Sequence, residues 1–162
     1  MTPDNATALL PGLKVHHVSV SVPDLDQALE WYEAILGFRA GHRFEIAAIP
    51  ARAAFVQRGE LQIEIWEVDG GATVPRQRRE PNSDLREGGT KHMAFAIPGL
   101  QVCLERLQAR GVDIAAVQRD PHLPMNPEAD VRNTVQGAAF AAFIRDPGGT
   151  LIELLDATRV GA

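Results

Sequence analysis

Two histidines and two glutamates recur in this chain at matched places. The stretches "VHHVSVSVPDL" (15–25) and "KHMAFAIPGL" (91–100) align His17 with His92, Pro23 with Pro98 and Leu25 with Leu100, each 75 positions apart. The stretches "LQIEIWE" (61–67) and "TLIELLD" (150–156) align Glu64 with Glu153, 89 positions apart. One histidine at the mouth of a strand, or one glutamate in an alternating strand, is ordinary surface chemistry. The same pair at the same two places of a repeat calls for a shared purpose. Two neutral imidazoles and two carboxylates suit a divalent transition metal and leave coordination positions for water or substrate.

The elements around these residues repeat as well. "KVHHVSVSV" alternates, with Val18, Val20 and Val22 on one face and His17, Ser19 and Ser21 on the other. By the same alternation His16 faces away from His17. A helix follows in "PDLDQALEWYEAILGF", with Asp24 or Asp26 as its cap and Gly37 as its close. Two strands are expected around 43–57, and "ELQIEIWEV" sets Leu61, Ile63 and Ile65 against Gln62, Glu64 and Trp66. A polar segment over 70–89 leads to the second copy. There "KHMAFAI" sets Met93, Phe95 and Ile97 against His92, Ala94 and Ala96. "GLQVCLERLQARGV" is a helix, and "AAFAAFIRDPGGTLIELLD" is a strand, a tight turn and a last strand. The second repeat is longer by 89 − 75 = 14 residues, which fit the loop over 118–137. The expected organisation is a tail (1–13), module one (14–69), a linker (70–89), module two (90–157) and a short tail (158–162). If the modules pair with pseudo-two-fold symmetry, His17, Glu64, His92 and Glu153 converge. The small residues Ser19, Ser21, Ala94 and Ala96 beside them leave room for a small molecule. His42 and His122 fall in loops without repeat partners.

Composition narrows the partners. The 162 residues carry a formal charge of −5, and no Lys/Arg stripe forms, so nucleic acid and acidic membrane surfaces are poor partners. "RQRRE" (76–80) lies among polar residues and reads as a solvated loop. The single cysteine, Cys103, sits on the apolar face of a helix, has no evident thiolate-stabilising partner and fits a reducing cytoplasm. The first residues lack a secretory pattern, and no apolar run approaches the ~18–20 residues of a membrane span.

"HHVSVSVPDLDQALEWYEAILGF", "GTKHMAFAIPGL" and "FIRDPGGTLIELLD" resemble the first-module, second-module and closing elements of the vicinal oxygen chelate superfamily. That superfamily includes glyoxalase I, methylmalonyl-CoA epimerase, extradiol dioxygenases, fosfomycin-modifying enzymes and bleomycin-resistance proteins. The resemblance spans about residues 14–157. It implies an α+β fold of two βαβββ modules with pseudo-two-fold symmetry, forming a cupped mixed sheet around one metal site. It places the ligands at His17, Glu64, His92 and Glu153 and implies one divalent ion: Ni, Co, Zn, Mn or Fe. A His/Glu/His/Glu set is similar to a glyoxalase I-type isomerase. The implied activity is chelation of the vicinal oxygens of a small substrate and enediolate-type proton transfer, as an isomerase or lyase. Glu153 is the first candidate for the base and Glu64 the second. The resemblance also implies a homodimer.

The chain departs from its nearest patterns in places. Segments 70–90 and 118–137 do not look like a glutathione-specific glyoxalase. Methylmalonyl-CoA epimerases commonly carry glutamine at the second ligand position and a further acid or base, where this chain offers Arg52 and Glu45. Two alternatives stand beside the isomerase. One is an Fe(II) extradiol-type dioxygenase, with Trp66 and either Phe140 or Phe143 against an aromatic diol. The other is a metal-free binding or resistance protein, which the ligand set disfavours. The substrate-binding candidates are Ser19, Trp66, Ala94 and Phe140.

Overall fold

The computed structural model describes residues 9–10, 12–126, 131–135 and 137–160. One βαβββ unit is β1 (Val18–Ser21), α1 (Leu25–Leu36), β2 (Arg39–Ile46), β3 (Ala51–Arg58) and β4 (Leu61–Val68). The second is β5 (Met93–Ile97), α2 (Leu100–Ala109), β6 (Ile114–Gln118), β7 (Ala141–Arg145) and β8 (Leu151–Asp156). Each unit forms a four-stranded mixed sheet, ordered β1-β4-β3-β2 and β5-β8-β7-β6. In each, the first strand lies parallel to the last and the remaining pairs are antiparallel. The expected two-module α+β fold is present. The two sheets stay separate and do not close into one continuous cup.

Local chemistry accounts for the elements. Asp24 caps α1, its Oδ1 accepting the Gln27 N–H at 2.9 Å. Gly37 ends the helix in the left-handed region at φ 69°, and its N–H returns to the Glu33 carbonyl. Asp26, the other cap candidate, instead binds Arg43 and Arg52. Strand β2 begins at Arg39, four residues before the expected start. His42 therefore lies in a strand, at an irregular step in the β2–β3 register, rather than in a loop. Strand β6 carries no alternation for a sequence reading to find. Its Ala115, Ala116 and Val117 are all buried, so both of its faces are apolar.

One apolar core joins the modules. It gathers Leu25, Leu29, Tyr32 and Ile65 from the first with Leu100, Leu104, Ile144 and Ile152 from the second. Phe38 meets Phe95 across the boundary, with ring centres 6.2 Å apart. The buried Tyr32 hydroxyl donates to Asp146 Oδ2 at 3.0 Å. Burial pushes the Asp146 carboxyl up and the Tyr32 phenol up with it. The turn that Asp146 opens packs on the end of β1. A Cβ at Gly148 would stand 3.1 Å from Val22 Cγ1 and 3.3 Å from the Ser21 carbonyl oxygen. The linker is fastened to the same turn. Val74 N–H donates to the Gly148 carbonyl, and Arg145 holds the Arg79 carbonyl and the Glu80 carboxylate. Of the basic run over 76–80, Arg78 pairs with Asp84 and Arg79 holds the Val74 carbonyl, so both are structural. Among the described residues, no helix is long and apolar enough to cross a membrane.

Candidate metal centre

Register puts each histidine beside its own module's glutamate. Glu64 lies opposite Ser19 in the parallel β1–β4 pair, and Glu153 opposite Ala94 in β5–β8. His17 and His92 stand just ahead of β1 and β5. His17 Nε2 is 3.5 Å from Glu64 Oε2, and His92 Nε2 is 3.1 Å from Glu153 Oε2. Exposure also matches. The histidine side chains are each 33% exposed, and the glutamates 14% and 18%. Each pair is thus a partly exposed imidazole nitrogen beside a mostly covered carboxylate oxygen.

A phenylalanine completes each pair. Phe55 lies opposite Glu64 across β3–β4, and Phe143 opposite Glu153 across β7–β8. Their rings meet the histidines edge-on, at 5.5 Å for His17–Phe55 and 5.1 Å for His92–Phe143. The repeat is therefore a His–Glu–Phe triad, built twice. Only the partner strand's register reveals the third member. Phe55 sits 9 residues before its glutamate and Phe143 sits 10 before its own, because the two hairpin turns differ in length.

The structure brings the candidates together as two pairs rather than as four. Among the described residues, no group of three His, Cys, Asp or Glu side chains is placed to hold a metal ion. Each pair has the donors for half of a divalent site, and neither pair is a whole one. Of the substrate candidates, Ser19, Trp66 and Ala94 lie on the glutamate-bearing faces. Trp66 contacts Phe44, which contacts Phe55, so the first module presents an aromatic face. Phe140 is elsewhere: its ring lies under the Arg159 guanidinium at 5.1 Å, and Phe143 is the ring at His92. Within the 118–137 loop, Met125 packs on Ala115, Phe143 and Leu151 of the second module. Residues 127–130 and 136 of that loop lie outside the described residues. The face of β8 that carries Glu153 also carries the aliphatic Leu151 and Leu155, where the Glu64 face of β4 carries Gln62, Trp66 and Val68.

His16 is closer to the site than alternation places it. Its Nδ1 lies 2.7 Å from His17 Nδ1. The strand starts only at Val18, so strict alternation does not reach residues 16 and 17. This bond fixes the His17 ring so that Nε2, its other nitrogen, faces Glu64. Arg52 is not at the site. It binds Asp26 and Glu67 at the start of α1, where Glu67 Oε2 accepts the Leu25 N–H at 2.5 Å. The second module repeats this clamp, with Asp156 Oδ2 accepting the Leu100 N–H at 3.2 Å. The offsets are those of the repeat: 100 − 25 = 75 and 156 − 67 = 89. The last strand of each module thus points one carboxylate at the site and, three residues on, another at its own helix.

Residues 16–126 match the family model described as the glyoxalase/bleomycin resistance protein/dioxygenase superfamily. The chain belongs to this superfamily. It is 27% identical over 166 residues to a 2-epi-5-epi-valiolone epimerase from an Actinomyces species, covering 91% of this chain and 81% of that protein. It is 23% identical over 141 residues to the mitochondrial methylmalonyl-CoA epimerase of Bos taurus, covering 87% and 73%. Its fold matches that of Leishmania major glyoxalase I at a TM-score of 0.63 and 19% identity, covering 90% of this chain and 88% of that one.

Proposed function

We propose that this protein is a divalent-metal-dependent isomerase of the epimerase and glyoxalase type, acting on a small substrate that offers two adjacent oxygens. The observation that carries this reading is the doubled His–Glu pair, with two nitrogens and two carboxylates in matched surroundings. His17, Glu64, His92 and Glu153 would hold the ion. When bound, the ion supplies Lewis-acid polarisation of the substrate oxygens. Glu153 takes the proton from the carbon next to the polarised carbonyl and returns it to that carbon or its neighbour. His16 keeps the His17 imidazole in place. Phe55 and Phe143 shield the histidines from water, and Ser19 and Ala94 leave space beside the carboxylates. Two carboxylates balance the charge of a divalent ion, so an anionic substrate oxygen approaches without strong repulsion.

The halves join through a second copy. One chain carries both halves apart, and a two-fold homodimer sets the first module of each copy against the second module of the other. Every site then receives one pair from each chain. Proton exchange tests the activity directly. Candidate hydroxy-ketones are incubated in D2O with metal-loaded protein. Deuterium should enter the carbon next to the carbonyl, and Glu153→Gln should stop this while the ion stays bound. Oxygen uptake with catechols and no solvent exchange would overturn the isomerase in favour of the dioxygenase.

A further inference from the structure

A cleft of about 930 Å³ runs between the C-terminal ends of α1 and α2 and reaches the outer edge of β5. None of the four proposed metal ligands lines it, and its one residue in common with the proposed site is Ala94, at the edge of β5. Its walls are apolar, built from Ile35, Phe38, Phe95 and Leu107, yet three arginines stand around it: Arg58, Arg106 and Arg110. Among the described residues, no carboxylate lies within ion-pair distance of any of the three. Arg58 donates one bond to the Leu36 carbonyl and Arg110 one to the Ala34 carbonyl. These bonds satisfy the end of α1 and leave most of the five N–H donors of each guanidinium unused. Arg106 makes no side-chain bond with any described residue. Other arginines also lack a carboxylate partner among the described residues, but here three such guanidiniums stand around one apolar cleft.

We propose that this cleft is a second binding site, for an amphipathic anion with an apolar body and a carboxylate or phosphate head. The apolar walls take the body. The unpaired guanidiniums take the head, a planar fork matching two oxygens. The volume falls within the ~300–1,000 Å³ of small-molecule sites. The proposal is independent of the metal reading and can fail or hold without it.

Cys103, the chain's one cysteine, lines the cleft and reports on it. Uncharged N-ethylmaleimide is used to label Cys103 in the full chain, with and without decanoate, decyl phosphate or decanol. Decanoate and decyl phosphate should protect the thiol saturably, and the stronger of the two names the head group. Decanol should protect at least about tenfold more weakly, because it has no charge for the guanidiniums. Arg106→Glu should weaken protection by the anions about tenfold, and Arg106→Lys should restore part of it. Arg106 is exposed on α2, so neither change disturbs the core, and circular dichroism checks that. Equal protection by decanol, or indifference to Arg106→Glu, would overturn the proposal. So would a thiol that does not react at all, because the cleft is then covered by protein.

Discussion

At the residue scale, the site's chemistry rests on contacts that no single strand displays. His17 faces Glu64 because His16 holds its other nitrogen and Phe55 bounds its edge. Outer partners of ligating histidines typically contribute about 10–100-fold in metal affinity. His16→Phe should therefore weaken metal binding by about that factor in a titration, with the unfolding midpoint unchanged. Glu153→Gln should lower kcat by about 10²–10⁴-fold, the contribution of a positioned base, more than it lowers metal content. If metal and turnover fall together, Glu153 is a ligand and not the base.

At the element scale, two carboxylates set the helices on their sheets. Arg52 holds the Glu67 carboxyl below its ordinary range, and the Leu25 N–H adds to this. A carboxylate lowered in the folded state stabilises the fold above its unfolded value near 4.5, and that stability is lost as pH falls through the lower folded value. Glu67→Gln should then flatten the loss of melting temperature on acidification below about pH 4.5, measured against wild type. Asp146 has the opposite sign. Burial raises its carboxyl, so its effect favours folding when protonated and fades as pH rises through the raised folded value. Tyr32→Phe removes a buried donor to Asp146, and urea unfolding at neutral pH should show a loss of about 1–3 kcal/mol. The elements that alternate, β1, β4 and β5, were legible from their side-chain period, and α1 from its Asp24 and Gly37 caps. Strand β6 was not, because a strand buried on both faces has no period to read. That Phe55 and Phe143 stand opposite the two glutamates was hidden for another reason: a cross-strand partner depends on hairpin register, which turn length decides.

At the scale of the whole molecule, the repeat produces two half-sites in a chain whose common core holds the modules together by their helices and turns. Matched spacing picks out His17, Glu64, His92 and Glu153, and the structure sets each histidine beside its own module's glutamate. Their separation into pairs was not legible, since spacing along a chain does not say which modules face each other. Gly148 and Tyr32 fix this arrangement from within one chain. Gly148→Val should force the second module's turn away from Val22, lowering the melting temperature and activity together. The test that bears most directly on the account is metal content, element by element, after mixing two inactive variants. Wild type should hold about one equivalent per chain, and His17→Ala and His92→Ala almost none. Unfolded together and refolded, the two variants should recover about a quarter of an equivalent per chain, because each mixed dimer regains one intact site of its two. Metal retained in either variant alone, or wild-type binding with no recovery on mixing, would contradict a site shared between two copies.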